Sequence, residues 1–391
     1  MRKHVILLAA LALSALLAFG CGGGDGDEKV VKIGFNIPLT GDIPKVGESS
    51  KNAAEMLKKR INDAGGLRVG EEMLPLEFVY EDNESKAESA VSAALKLIEQ
   101  DRVLGLIGPQ SSKQAIPAGE VADANMTPMI SPWSTNPTTT KNRPYVFRAC
   151  FLDPFQGPVA AKFATEEFGA DKAAVLYDIA SDYPKGLAEF FTKAFEEIHG
   201  KGSVVASETF TTKDQDFSAQ LTNIVNSDAD VLFLPQYYSE VALIAKQAHD
   251  LGWDKPILGS DSWGSAELMN LCGDDCKGQF FTTHYAAAGA TGKTKEFIED
   301  YEAAYGETPD DVAALTWDAI HIMLDAVQRA GLNGELEQRR EEVMTALGGM
   351  ASFEGITGTM SFNEDGDPVK CAVVVKINDQ GEFTFYKSVC P

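Results

Sequence analysis

Apolar residues follow two rhythms along this chain. Short, nearly continuous apolar runs occur at residues 32–38, 76–81, 103–107 and 128–131. Between them apolar side chains recur every three or four positions, as in Ala53, Met56, Leu57, Ile61 and Ala64, or Ala87, Val91, Ala94, Leu95 and Ile98. The first rhythm predicts strands buried on both faces, the second helices with one apolar side. Gly65-Gly66 ends the first of those helices. A second series starts near residue 150, with strands expected at 173–177, 203–210, 231–234, 257–259 and 280–283 and helices between them. Helices at 293–305, 310–330 and 336–347 follow, and then a hairpin whose strands flank the turn Asn378-Asp379-Gln380-Gly381. Strand–helix alternation repeated in this way predicts an α/β protein of two similar lobes, each a parallel sheet flanked by helices. No repeated sequence relates the two series.

Composition narrows the class. A chain of 391 residues, 44% hydrophobic, is large enough for two or three domains. With 34 basic against 58 acidic residues the formal charge is −24. That excess repels nucleic acid, which needs Lys and Arg on its phosphates, and disfavours a polybasic grip on anionic lipid. The N-terminus departs from this pattern. Arg2 and Lys3 precede an apolar run over residues 5–19, too short to span a bilayer comfortably. Residues 1–20 are therefore expected to be a secretory signal peptide. Ala18-Phe19-Gly20-Cys21 resembles the lipobox of bacterial lipoproteins, which implies lipidation of Cys21. Residues 21–28 would form a flexible, lipidated tether. An ordinary signal peptide followed by an incidental cysteine is the alternative. Either way the mature protein is expected outside the cytoplasm, in the periplasm or at the cell surface of a bacterium.

Export makes disulfides available. Cys272 and Cys276 flank a short Gly-Asp-Asp loop, and Cys371 and Cys390 stand opposite each other on the expected hairpin. Both pairs are expected to be bridged, leaving Cys150 as a buried thiol. A metal at Cys272/Cys276 with Asp274 and Asp275 would lack a nearby histidine, so no metal is expected. The run from Ala287 to Gly292-Lys293-Thr294 loosely fits a phosphate loop, but Ala stands where that loop has its first Gly. No HExxH and no GxSxG occurs, and His249 and His321 fall on amphipathic helices. No cofactor and no enzymatic activity are expected.

In open α/β sheets ligands bind beyond the carboxyl ends of the strands. In the first series those ends carry Gln110, Ser111 and Ser112, then Trp133, Ser134 and Thr135. In the second they carry Tyr183, Tyr237, Asp261 and Trp263. One lobe thus offers hydroxyls and a helix start, which suit a carboxylate. The other offers tyrosines and a carboxylate, and Asp261 suits an ammonium. A small zwitterion could be held between them. The plainer alternatives are that Ser111 or Ser112 caps its helix, that Asp261 does the same, and that the tyrosines pack or lie at the surface.

These residues sit in stretches that resemble a known family. KIGFNIPLTGD, the GGL at residues 65–67, IGPQSS, PMISPWSTNP, VFRAC followed by DPFQG, DQDFSAQL and ILGSDSW occur in the order and spacing of the type I periplasmic solute-binding proteins, in the branch of the leucine/isoleucine/valine-binding protein. The resemblance implies two Rossmann-like lobes joined by three crossovers, with residues 29–149 plus 284–367 in the first and 150–283 plus 368–391 in the second. It implies a monomer that closes on a small amino acid, branched-chain or otherwise hydrophobic, and delivers it to the membrane subunits of an ABC importer. Ser112 and Thr135 would hold the ligand's α-carboxylate and ammonium, with backbone groups near Gln110 and Trp133. Tyr183 and Tyr237 would line the cleft, and Asp261 would meet the ammonium. Trp133 stands where the family has Gly, Ala or Ser, and Val46 where a tyrosine often lines the side-chain pocket. Both departures touch the pocket that reads the side chain. A sensory receptor with the same cleft, or a binder of an aromatic or aliphatic carboxylic acid, are the alternative functions.

Overall fold

The computed structural model describes residues 30–391 apart from 266 and 364. The expected signal peptide (1–20), the lipidation site Cys21 and the tether (21–28) lie outside the described residues. The first sheet starts with β1 (Val31–Ile37), in which Val31, Ile33, Phe35 and Ile37 are fully buried. A small hairpin of β2 (Leu67–Val69) and β3 (Glu72–Leu74) leads into β4 (Leu76–Asp82). β5 (Gly105–Ile107), β6 (Met129–Ser131) and β7 (Val146–Arg148) complete the sheet, in the order β4-β1-β5-β6-β7, parallel throughout.

The second sheet takes β8 (Ala173–Asp178), β9 (Val204–Phe210), β10 (Val231–Leu234), β11 (Ile257–Gly259) and β12 (Phe280–Thr283), again parallel. A separate antiparallel sheet of β13 (Ser352–Gly355), β14 (Gly358–Phe362) and β15 (Pro368–Val369) follows. The C-terminal hairpin of β16 (Ala372–Ile377) and β17 (Phe383–Val389) then joins the second sheet antiparallel, giving the order β17-β16-β12-β11-β10-β8-β9.

Two cores follow from this connectivity. Ile33 and Phe35 pack with Trp317, Ile320 and Met323 of the helix Asp311–Ala330, so the chain returns to the first lobe after β12. That helix begins where the Asp310 carboxylate accepts from the Ala313 N–H at 2.8 Å, and it ends at Gly331 with φ +78°. Val175, Phe191, Phe233 and Trp263 form the second core, together with Val374 and Ile377 of the hairpin. The chain therefore crosses between the lobes three times: after β7, after β12, and between β15 and β16. Among the described residues no helix is long and apolar enough to cross a membrane.

Six short strands escape the periodicity reading. β7, β2 and β3 have three residues each, one of them charged, and β13 to β15 are short or broken by polar residues and glycine, so none shows as an apolar run. The strand expected at 103–107 begins at Gly105, and Asp310 is the cap of its helix rather than a member.

Both expected disulfides form, Cys272–Cys276 and Cys371–Cys390, the latter one step beyond the paired residues Ala372 and Val389. Cys150 is free and fully buried, and burial pushes its thiol up to about 12. Unreduced protein starting after Cys21 should accordingly take up one equivalent of iodoacetamide when denatured, at Cys150, and almost none when native. Rapid labelling of the native protein would contradict the burial of this thiol.

Candidate ligand-binding cleft

At the end of β5 the chain turns sharply at Gly108, with φ +92°. A Cβ there would lie 2.4 Å from the Asn36 carbonyl oxygen, so only glycine fits. The turn delivers Gln110 and Ser111 to the start of the helix Ser112–Ala124. Ser111 occupies the capping position without making a side-chain cap. Its hydroxyl instead accepts from the Tyr237 hydroxyl of the second lobe at 2.8 Å. The Ser112 and Ser134 hydroxyls bond each other at 2.8 Å, and Ser134 bonds Thr139 at 2.6 Å. Gln110 donates to Ser50 at 2.6 Å, while its side-chain oxygen is buried without a partner in the chain. A helix start, with N–H groups that have no intrahelical acceptor, thus faces the cleft among hydroxyls.

The opposite wall is built around Asp261, in a single 3-10 turn after β11. One of its carboxylate oxygens accepts from the Tyr183 hydroxyl at 2.7 Å and from the Gln156 amide at 2.8 Å. The other lies 3.5 Å from the His284 ring. Tyr183 and Tyr237 are buried, which raises both phenols and keeps them neutral donors. Burial also pushes His284 down to about 4, so the ring stacked 3.7 Å from Phe151 is uncharged at neutral pH. Asp261 is 1% exposed with no lysine or arginine among its polar contacts, and a ligand cation would find a desolvated carboxylate there.

Gln110, Ser111, Ser112, Trp133, Tyr183, Tyr237, Asp261 and Ser262 come together around one tightly closed cleft between the lobes. Ser134 lies directly behind Ser112. The Thr135 hydroxyl is buried without a hydrogen-bond partner in the chain. Trp133 and Tyr237 face each other with ring centroids 6.0 Å apart, and the Trp133 indole N–H donates to Asp311 at 3.2 Å. Val46 packs in the same apolar cluster as Trp133, Tyr183 and Tyr237. Trp263 is not brought to the cleft, which corrects the expectation from its place at a strand end. It is fully buried in the second lobe, where its indole donates to the Leu234 carbonyl at 3.1 Å. The missing side chain of Gly259 makes room for its ring.

Several residues that shape the cleft were not among the candidates. Arg148, at the end of β7, donates to Asp367 at 2.7 Å, to the carbonyls of Ser134 and Asn136 at 2.6 and 3.0 Å, and to Thr140 at 2.7 Å. It thereby fixes the loop that carries Thr135. An arginine inside the run Val-Phe-Arg-Ala-Cys was the one sequence signal for it. Asp153 opens the helix Asp153–Phe168, and its N–H donates to the Thr135 carbonyl at 3.0 Å. Neither of its carboxyl oxygens meets hydrogen-bond geometry with a partner. Burial, reinforced by the charge of Asp261 and partly offset by the nearby Thr135 hydroxyl, pushes this carboxyl up to about 8.

Two α/β lobes linked by three chain crossings, with polar side chains of both converging between their strand ends, define a hinged solute-binding protein of the type I architecture. The family model described as "Periplasmic binding protein" matches residues 30–382, and the chain belongs to that family. It is 31% identical to the Leu/Ile/Val-binding protein BraC3 of Rhizobium johnstonii, over 86% of this chain and 88% of that one. It is 28% identical to the leucine-, isoleucine-, valine-, threonine- and alanine-binding protein of Pseudomonas aeruginosa, over 92% of each. The crystal structure of a leucine-binding protein LivK of Thermotoga maritima superposes with a TM-score of 0.84 at 34% identity, covering 93% of this chain and 99% of that one. LivJ of Streptococcus pneumoniae, in complex with isoleucine, gives 0.85 at 32% identity, covering 93% and 100%. Members of this family are solute-binding proteins that act outside the cytoplasm.

The buried Asp153 carboxyl makes a pH signature. Its pKa is raised from 3.8 to about 8, so the stability it contributes is fully present below 3.8 and is lost as pH rises through about 8. Asp153→Asn removes this proton linkage. The variant should gain stability relative to wild type as pH rises from about 4 to about 8, with the difference levelling off above. Urea unfolding at a series of pH values measures it, and a difference independent of pH would contradict the assignment.

Proposed function

We propose that the protein is the extracytoplasmic solute-binding component of an ABC importer and that it captures a small amino acid, branched-chain or otherwise hydrophobic, by closing its lobes. The reading rests on one observation: a helix start with the hydroxyls of Ser111 and Ser112 faces the buried carboxylate of Asp261 across the same cavity. Ser112, Thr135 and the adjoining backbone hold the ligand's α-carboxylate and assist its ammonium. Asp261, aimed by Tyr183 and Gln156, takes the positive charge. Gln110, Ser134 and Tyr237 complete the enclosure. Relatives named for leucine, isoleucine, valine, threonine and alanine support an amino acid as ligand. Trp133 and Val46 set which side chain is preferred. Both lobes touch the ligand only when closed, so binding selects the closed state.

The lobes divide as residues 29–149 plus 284–367 and 150–283 plus 368–391. The protein works as a monomer, performs no covalent chemistry, and docks in its closed form on the permease subunits. Cys21 carries the lipid that holds it at the membrane. Cys21→Ser should move the protein to the aqueous phase in detergent partitioning, and retention in the detergent phase would refute the anchor.

Calorimetry tests the zwitterion site. Truncating one partner of a buried, hydrogen-bonded charge pair costs about 2–5 kcal/mol. Asp261→Ala should therefore weaken the best amino acid roughly 30- to 4000-fold, at about 1.4 kcal/mol per tenfold. Ser112→Ala removes one hydrogen bond to a charged group, about 1.5–3 kcal/mol, or roughly 10- to 150-fold. Trp133→Ala should reorder preference among amino acids rather than abolish binding. If Asp261→Ala binds as wild type does, the ligand lacks an ammonium, and an aromatic or aliphatic carboxylic acid takes its place.

A further inference from the structure

A second cavity, of about 550 Å³, lies between the lobes on the far side of Asp311 from the amino-acid cleft. Its volume falls within the roughly 300–1,000 Å³ typical of small-molecule sites. Phe281, Val375 and Phe383 of the second lobe and Ile298 of the first give it apolar walls. None of the residues that lead into the cleft at Ser111, Ser112 or Tyr183 lines it.

Two buried polar groups in its lining have unused bonding capacity. The Tyr285 hydroxyl, on a residue 7% exposed, has no hydrogen-bond partner among the described residues. Asp311, 3% exposed, spends one carboxylate oxygen on the Trp133 indole and the Thr283 hydroxyl, at 3.2 and 3.1 Å, and the other has no partner. Glu302, Asp310 and Glu382 add acidic groups, and among the described residues no lysine or arginine lines the cavity. A buried polar group without a partner is costly.

We propose that this hinge-side cavity is a second ligand site, separate from the amino-acid cleft, that takes a small apolar amine. The hydrocarbon body lies against Phe281, Ile298, Val375 and Phe383, and the ammonium meets the free oxygen of Asp311 with the Tyr285 hydroxyl beside it. Carboxylic acids are excluded, because four acidic side chains already line the space. Burial and the charges of Asp310 and Asp261 hold the Asp311 carboxyl well above the ordinary carboxylate range. A cation in the cavity supplies the counter-charge that favours its ionised form.

The site is tested with 2-phenylethylamine as probe and phenylacetate as its charge-reversed control, by calorimetry on the intact protein. The amine should bind with a stoichiometry of one and phenylacetate should not bind. Asp311→Asn should weaken the amine at least tenfold. Ala288→Trp, an exposed lining position, should block the cavity and abolish amine binding while amino-acid binding persists. Phe383→Ala, which removes one apolar wall, should weaken the amine several-fold and provides a second variant should the tryptophan disturb folding. Absence of amine binding, equal binding of phenylacetate, or an amine affinity indifferent to both Asp311→Asn and Phe383→Ala would overturn the proposal. The amine and phenylacetate titrations are read without an amino acid present, so they stand apart from the function proposed for the cleft.

Discussion

Arg148 and Asp367 form a buried ion pair on which the geometry of the cleft depends. The arginine side chain is fully buried, and Asp367 is 8% exposed. Arg148 ends β7 just before the first crossing and Asp367 precedes β15 just before the third, 219 residues apart. A charge taken out of water in this way needs a partner, and removing one member of a buried pair costs about 3–5 kcal/mol. The remaining guanidinium donors bind Ser134, Asn136 and Thr140, so the pair that ties two crossings together also shapes the loop bearing Thr135. The second crossing joins through His284, stacked on Phe151 of the first. Lys370 anchors the third by donating to Thr357 at 2.5 Å, next to the buried Asp318. The hinge is therefore a cross-braced bundle of three segments with its charges paired or neutralised.

Such a hinge leaves lobe closure to be decided by few contacts. Tyr237 to Ser111 at 2.8 Å and the Asn136 amide to the Asp182 carbonyl at 3.0 Å link the lobes across the cleft. Each is a neutral hydrogen bond, worth about 0.5–1.5 kcal/mol net. The apolar contacts of Val46 and Trp133 with Tyr183 and Tyr237 add to them, and a ligand that touches both walls only when they meet shifts the lobes toward the closed form. Asp261 is held by Tyr183 and Gln156 of its own lobe, so its carboxylate needs little ordering at binding.

The alternation of buried strands and amphipathic helices made the two parallel sheets legible, because each strand is apolar on both faces and each helix on one. The same logic pointed to Gln110, Ser112, Tyr183, Tyr237 and Asp261, which the fold brings together between the lobes, since strand ends are where such sheets expose polar side chains. Trp263 shows where it stops. A loop tryptophan beside a glycine can turn inward, and only the space left by Gly259 reveals that it does. The bracing residues were beyond reach for another reason. Arg148 and Asp367, or Trp133 and Asp311, meet through contacts 219 and 178 residues apart, and no local pattern encodes such pairs. The strand β7 was missed because Arg148 breaks its apolar run.

The central claim is that both charges of one zwitterion draw the lobes together. Small-angle X-ray scattering, with the best-binding amino acid compared against its own amide and its N-acetyl derivative, tests this most directly. The amide lacks the carboxylate assigned to the hydroxyl wall, and the acetylated form lacks the ammonium assigned to Asp261. The radius of gyration should fall with the free amino acid and stay unchanged with either derivative. An equal contraction with the N-acetyl derivative would contradict the account.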